Sequence, residues 1–290
     1  MRLLGNPLDR LLKRAAKKNE KSFLFLWNRG LGDIPLGLYA LGERVRKYLP
    51  DAKITYLTRP DLADCFRMLP NVEVVIAPSM QRGVAKPMEE WAIEAGISIN
   101  DFDQVLEKID PTRWLSWQLG KLIPKLAWNS KWNALVEKFP IQENAIGVHV
   151  QSETKGFYGY TKDWPKTRWE ELFARFPERQ FVLFGMKKEP TYAAKNILDL
   201  RGETNLHEML SIMKNCCRIV IAPDSGILST LYYVDAPFTL RLISLWADPR
   251  QGVLRQKVAS PNPCLDHIPL IGKDENVANI KIDDIAQLIT

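Results

Sequence analysis

The sequence predicts an α/β protein built from two Rossmann-like halves. Three observations carry this. First, the apolar run Phe23-Leu24-Phe25-Leu26-Trp27 passes through Asn28-Arg29-Gly30-Leu31-Gly32-Asp33-Ile34-Pro35 into an apolar stripe at helical spacing. That is the pattern of a strand buried on both faces handing over to a helix. Second, strand and helix patterns alternate through residues 23–80, which implies a parallel sheet. Third, a second alternating pattern begins near Ala145 and runs to the end of the chain.

Composition sets the outer limits. A chain of 290 residues, 46% hydrophobic and 26% charged, has the makeup of a soluble globular protein large enough for two domains. No apolar run reaches the roughly 18–20 residues of a membrane span, and the start of the chain lacks the apolar core of a secretory signal. Cys65, Cys216, Cys217 and Cys264 have no zinc-type spacing, and the adjacent pair Cys216-Cys217 fits a reduced, cytoplasmic compartment. The three histidines lie far apart and form no metal motif. Of the formal net charge of +6, residues 1–22 hold +5, through Arg2, Arg10, Lys13, Arg14, Lys17, Lys18 and Lys21 against Asp9 and Glu20. The remainder is nearly neutral, which argues against a nucleic-acid groove on the folded body.

In order, residues 1–22 form a basic leader in which Leu3, Leu4, Leu8, Leu11, Leu12, Ala15 and Ala16 make a loose helical stripe, weakened at its start by Gly5 and Pro7. Such a helix lies on an anionic membrane surface, packs on the body, or frays. Residues 23–140 form the first domain, with strands at 23–28, 53–57 and 72–76 and helices near 33–48 and 60–68. Pro35 suits the first turn of the helix after the glycines. Asp33 then stands at the carboxyl edge of a sheet, where ligands bind in open α/β folds; as a plain N-cap it would need no ligand. A nicotinamide fingerprint fails here, because Pro35 stands where a small residue belongs and the second strand ends in Thr58-Arg59 rather than an acid. Residues 81–140 are less regular. They hold Trp91, Trp114, Trp117, Trp128 and Trp132, punctuated by Pro111, Pro124 and Pro140. These read as core aromatics or as an amphipathic surface, and Arg82, Lys86, Arg113 and Lys121 as solvated charges or contacts to an anion.

Residues 141–290 form the second domain. Strands are expected at 145–150, 181–184, 197–200, 218–222 and 239–245. Helices are expected through Trp169, Leu172, Phe173 and Phe176, after Pro190, over 204–214, from Ile227, and near 283–289. A glycine- and tyrosine-rich loop, Gly156-Phe157-Tyr158-Gly159-Tyr160, leads to Lys162-Asp163-Trp164-Pro165.

Three constellations carry chemistry. Asp224-Ser225-Gly226 follows a buried strand and opens a helix, an arrangement that suits either an anion such as a diphosphate or an ordinary cap. Lys162 can neutralise a phosphate or sit in solvent. Glu189, after the strand-ending Gly185, can accept hydrogen bonds from ribose hydroxyls or serve as a first-turn acid.

Taken together these pieces resemble glycosyltransferase family 9, the ADP-heptose:lipopolysaccharide heptosyltransferases. The matching elements run in order: Arg29-Gly30-Leu31-Gly32-Asp33; Lys162-Asp163-Trp164-Pro165 with Trp169 and Leu172; Phe184-Gly185 with Glu189. Then come Leu200-Arg201-Gly202-Glu203-Thr204-Asn205-Leu206-His207-Glu208, Pro223-Asp224-Ser225-Gly226 and Ile280-Lys281-Ile282-Asp283-Asp284-Ile285. The resemblance covers roughly residues 23–290 and is thinnest across 80–140.

The resemblance implies a GT-B fold, two Rossmann-like domains facing across a cleft. The first would hold a glycolipid acceptor and the second a nucleotide sugar. It implies inverting, metal-independent transfer of a heptose from ADP-heptose, with no cofactor, at the inner face of a bacterial inner membrane. Asp33 matches the proposed general base. Asp224, Ser225 and Gly226 would line the donor site with Lys162, and Glu189 would lie near the nucleoside. Gly32, Arg59 and Arg82 are taken as acceptor-side residues, the two arginines as phosphate contacts. Two positions depart from the family pattern. Ser229 stands where a histidine is usual, and Leu245-Trp246-Ala247-Asp248-Pro249-Arg250 replaces a Gly-Pro-Thr loop. Another nucleotide sugar, a protein acceptor, and a non-catalytic binding role therefore stay open as readings.

Overall fold

The computed structural model describes residues 6–152 and 159–290, without the side chains of Thr112 and Arg113. Leu3, Leu4 and Gly5 of the leader, and Gly156-Phe157-Tyr158 of the aromatic loop, lie outside the described residues. The chain divides into two compact units, Met1–Ala127 and Trp128–Thr290.

The first unit runs α1 (Pro7–Lys17), β1 (Ser22–Trp27), a π-helical turn (Ile34–Leu38), α2 (Tyr39–Tyr48), β2 (Lys53–Thr58), α3 (Ala63–Arg67) and β3 (Val72–Ile76). It continues through α4 (Met88–Glu94), β4 (Gln104–Leu106), α5 (Pro111–Trp114) and β5 (Leu126–Ala127). Four strands form one parallel sheet in the order β3-β2-β1-β4. This is the order of one doubly wound half. Phe25, Tyr56 and Phe66 pack ring on ring beneath it, with centroids 5.5 and 4.5 Å apart.

The leader is part of this unit. Asn6 caps α1 by accepting the Leu8 N–H, and Leu8, Leu12 and Ala15 are buried. Asp9 accepts two hydrogen bonds from the Arg44 guanidinium of α2, at 2.7 and 2.6 Å. Much of the expected apolar stripe is thus spent on the body, and the outward side of α1 presents Arg10, Lys13, Arg14, Lys17 and Lys18. The helix expected over 33–48 starts as a π turn before becoming α2. Pro35 brings no N–H to that turn, and the Tyr39 N–H closes it on the Ile34 carbonyl. Such turns are frequent at functional sites.

The second unit opens with a 3₁₀ segment (Ser130–Lys138). Then come β6 (Ala145–His149), α6 (Lys166–Arg175), β7 (Phe181–Phe184), β8 (Ile197–Asp199), α7 (Leu206–Asn215) and β9 (Cys217–Pro223). The rest is α8 (Gly226–Tyr232), β10 (Val234–Asp235), β11 (Leu240–Trp246), α9 (Gly252–Gln256), β12 (Leu265–Ile271) and α10 (Ile282–Ile289). Its six-stranded sheet, order β12-β11-β9-β6-β7-β8, is parallel throughout. Ile146 and Val148 of β6, with Val150 just beyond it, join a core with Trp164, Trp169, Phe173 and Ile285. The Trp164 indole N–H donates to the Ile280 carbonyl at 3.1 Å, fixing the Lys162-Asp163-Trp164-Pro165 turn to the segment that leads into the last helix.

The units part before residue 140, because the 3₁₀ segment belongs to the second. Trp132 stacks on His207 of α7 with centroids 3.8 Å apart, and Lys138 pairs with Glu208 at 2.6 Å. Another expectation fails after Pro190, where residues 191–196 are not helical. The stretch is an extended strap. The Asn196 amide donates to the carbonyls of Phe173, Phe176 and Arg179, and Arg201 donates to the Pro190 carbonyl at 2.9 Å. Among the described residues no helix is long and apolar enough to cross a membrane.

Candidate active site

In the first unit, β1 and β2 lie side by side in register, with Trp27 opposite Thr58. The Thr58 hydroxyl donates to the Trp27 carbonyl at 2.7 Å, so the two strands end level. Gly32 and Asp33 leave β1 at this carboxyl edge, and Arg59 leaves β2 there. Arg82 follows β3 in a loop held close by the Asn28 amide, which donates to the Val84 carbonyl at 3.4 Å. One sheet edge therefore carries Gly32, Asp33, Arg59 and Arg82 of the first unit.

Asp33 is half-buried at the mouth of the π turn, and its carboxylate makes no capping hydrogen bond to that turn. The plain N-cap reading therefore does not hold. The turn itself is closed by backbone bonds, with the Ile34 N–H on Leu31 O and the Leu36 N–H on Gly32 O, each at 3.1 Å. The carboxylate folds back over Gly30, where a Cβ would lie only 2.9 Å from Asp33 Oδ2. The Trp27 indole N–H donates to the Gly30 carbonyl at 3.2 Å, holding the glycine in place. Arg59 is buried and pairs with Asp61 at 3.0 Å; Arg82 is exposed.

In the second unit, the carboxyl edge gathers Lys162 and Asp224. Both are buried, at 7% and 8% exposure, and Lys162 Nζ donates to Asp224 Oδ2. The sequence treats them as separate donor-side residues; the fold makes them one ion pair. Asp163, the next residue, accepts the Ser152 N–H at 2.7 Å and so ties the chain beyond β6 to this turn. Ser225 caps α8, its hydroxyl oxygen taking the Leu228 N–H at 3.2 Å. Its hydroxyl proton remains a donor. Gly226 is the first residue of α8.

Ser229 is 1% exposed and donates back to the Ser225 carbonyl at 3.1 Å. Its hydroxyl proton is thus committed to its own helix cap. Trp246 is wholly buried, so the residue replacing the usual loop does not project from this edge either. Glu189 is exposed on the loop after β7, apart from the Lys162–Asp224 pair in sequence and on a different element.

Two residues here carry roles that the sequence left unassigned. Arg201 is buried, grips Asp199 through Nε and Nη2 at 2.8 and 2.6 Å, and stacks over Tyr192 at 5.2 Å. With its bond to the Pro190 carbonyl it shapes the loop that carries Glu189. An arginine just past the buried Leu200, two positions beyond the strand, is the available signal. His149 ends β6 at the same edge; burial pushes its imidazole down to about 4, so it is neutral at physiological pH.

Comparison with known proteins adds the following. Residues 129–251 match the family model described as Glycosyltransferase family 9 (heptosyltransferase). No curated protein matches the chain. A glycosyltransferase family 9 structure from Veillonella parvula DSM 2008 is similar at 15% identity, covering 92% of this chain and 95% of that one, with a TM-score of 0.59. The E. coli ADP-heptose lps heptosyltransferase II is similar at 15% identity, covering 92% and 98%, with a TM-score of 0.61. The E. coli heptosyltransferase WaaC with ADP-2-deoxy-2-fluoro heptose gives 12% identity, 92% and 98%, and a TM-score of 0.55. At such identities the likeness is one of fold: the α/β architecture expected from the sequence is that of these GT-B structures.

Proposed function

We propose that this chain, whose residues 129–251 carry a glycosyltransferase family 9 domain, is an inverting, metal-independent enzyme that moves a heptose from ADP-heptose to a lipopolysaccharide-type acceptor. The observation that carries the reading is the Lys162–Asp224 pair, set beside the Ser225 hydroxyl at the carboxyl edge of the family-matched sheet.

In the proposed reaction an acceptor hydroxyl oxygen attacks the anomeric carbon while its proton passes to Asp33. A new C–O bond forms as the bond from that carbon to the diphosphate oxygen breaks, and the configuration inverts. Lys162 and the Ser225 hydroxyl stabilise the charge that gathers on the departing ADP. Glu189 would take hydrogen bonds from the ribose. Arg59 and Arg82 would meet acceptor phosphates, with Gly32 leaving room for the attacking hydroxyl. The outward cations of α1 support work at an anionic membrane surface.

A second reading, the same chemistry on another nucleotide sugar, draws on Ser229. Buried and bonded to its own helix cap, it commits its hydroxyl proton where the family places a histidine. A screen of nucleotide sugars against the purified protein, read by thermal shift and by product formation, tests both. ADP-heptose should give the largest shift and support transfer to a deacylated lipopolysaccharide acceptor. A shift with a different nucleotide sugar, and none with ADP-heptose, would replace the first reading by the second.

A further inference from the structure

Trp246 ends β11 directly beside the Lys162–Asp224 pair. Its ring is fully buried, and its indole N–H donates to Ser244 Oγ at 2.6 Å. An indole nitrogen can only donate, so Ser244 Oγ accepts here and has its own proton left to give. The same oxygen shares a hydrogen bond with His267 Nε2 of β12, at 2.7 Å. Burial pushes His267 down to about 4, which keeps its imidazole neutral. A chain of two hydrogen bonds thus fixes the rotation of the Trp246 ring from behind.

The far edge of that ring faces Gly252, which opens α9 with φ +49°. A Cβ on Gly252 would lie 2.6 Å from Asp224 Oδ1 and 2.8 and 2.9 Å from the two outermost ring atoms of Trp246. The carboxylate and the indole edge therefore both border the space beside Gly252, which has no room for a methyl group. Asp224 is held on its other oxygen by Lys162, and its N–H donates to the Leu245 carbonyl at 3.1 Å.

We propose that Trp246 is a positioning residue: braced by Ser244 and His267, it and Gly252 form the wall that sets the Asp224 carboxylate and, through it, the Lys162 ammonium. The residue that departs most from the family loop is thereby the back of the donor-side ion pair rather than an obstruction of it. The proposal rests on the reading of this edge as the donor site only for its consequence in catalysis; the placement of Lys162 can be read without any donor.

The experiment uses the full chain and two substitutions, Ser244→Ala and Gly252→Ala. Neither removes Trp246, Asp224 or Lys162. Amine labelling with acetic anhydride, followed by peptide mass spectrometry, reports how often Lys162 is released, with the exposed Lys166 as internal control. Both variants should remain folded by circular dichroism and label Lys162 about tenfold faster than the parent, with Lys166 unchanged, because local opening and not global unfolding exposes it. In transfer assays the same variants should raise the donor KM about tenfold and leave kcat within about twofold, whereas a loss of folded protein lowers kcat alone. Unchanged Lys162 labelling in both variants overturns the positioning role. Faster labelling in a protein that binds no nucleoside diphosphate supports the wall and overturns the donor-site reading instead.

Discussion

Lys162 Nζ donates to Asp224 Oδ2 across 62 positions of sequence, and both side chains are buried when it does so. Removing the ammonium leaves the buried Asp224 carboxylate without it, which costs about 3–5 kcal/mol. Lys162→Met should destabilise the second unit by that order, and Asp224→Asn should destabilise it as well. The double substitution should cost less than the two losses added together, measured as a urea-denaturation cycle. Strict additivity would show that the two charges do not depend on each other.

Asp33 makes no capping bond to the turn that follows it. Asp33→Asn keeps the shape of the side chain and should lower the transfer rate at least ~100-fold, as loss of a general base does. Gly30→Ala should act through the same group, since its methyl would stand 2.9 Å from Asp33 Oδ2. A full transfer rate in Asp33→Asn removes the residue from the chemistry.

His149 gives the pH dependence a sign. Its folded-state value lies near 4, below the ordinary 6.5, so the unfolded chain binds the proton more readily. The stabilisation from keeping it neutral is complete above pH 6.5 and is lost as pH falls from 6.5 towards 4. At full extent it is on the order of 3 kcal/mol. His267, pushed down to about 4 as well, adds in the same direction. Denaturation midpoints measured from pH 7.5 to 4.5 should fall steadily, and His149→Gln should flatten the slope. A slope that His149→Gln leaves untouched points to other groups.

The α1 cations should draw the protein to anionic vesicles. Replacing Lys13, Arg14, Lys17 and Lys18 by Gln should abolish co-sedimentation with phosphatidylglycerol vesicles at low salt, each lost charge removing about 1 kcal/mol. Deleting the leader is a poorer test, because it would uncover the pocket of Leu8, Leu12 and Ala15 and destabilise the unit that is being measured. Equal sedimentation of parent and variant would take α1 out of membrane recruitment.

How much of this was legible depended on how local the cause was. β1, β2 and β3 are apolar runs broken by glycine or proline, and they stand close to where the pattern puts them. β4 and β12 were missed. The first spans only Gln104–Leu106, and the second carries Asp266, His267 and Pro269 on an edge strand, so neither has a continuous apolar signal. The strap after Pro190 reads as a helix only if Arg201 and Asn196 are ignored, and their bonds are tertiary. At the site, Asp33, Lys162 and Asp224 could be picked out as residue types in the right local setting. That Lys162 and Asp224 pair, and that Trp246 turns inward behind them, depends on side-chain direction at neighbouring strand ends. A sequence states the strand, but not which neighbour it meets.

The strap from Gly185 to Asn196 also bears on recognition. Arg201 holds its middle at Pro190 and Tyr192, and Asn196 nails its end to three carbonyls. A loop fastened in this way has lost its freedom during folding, so under the proposed function a nucleoside arriving beside Glu189 would have little left to order. Selectivity among nucleobases at that edge would then come from a rigid template that rejects misfits quickly, with discrimination expressed in how fast the wrong base leaves.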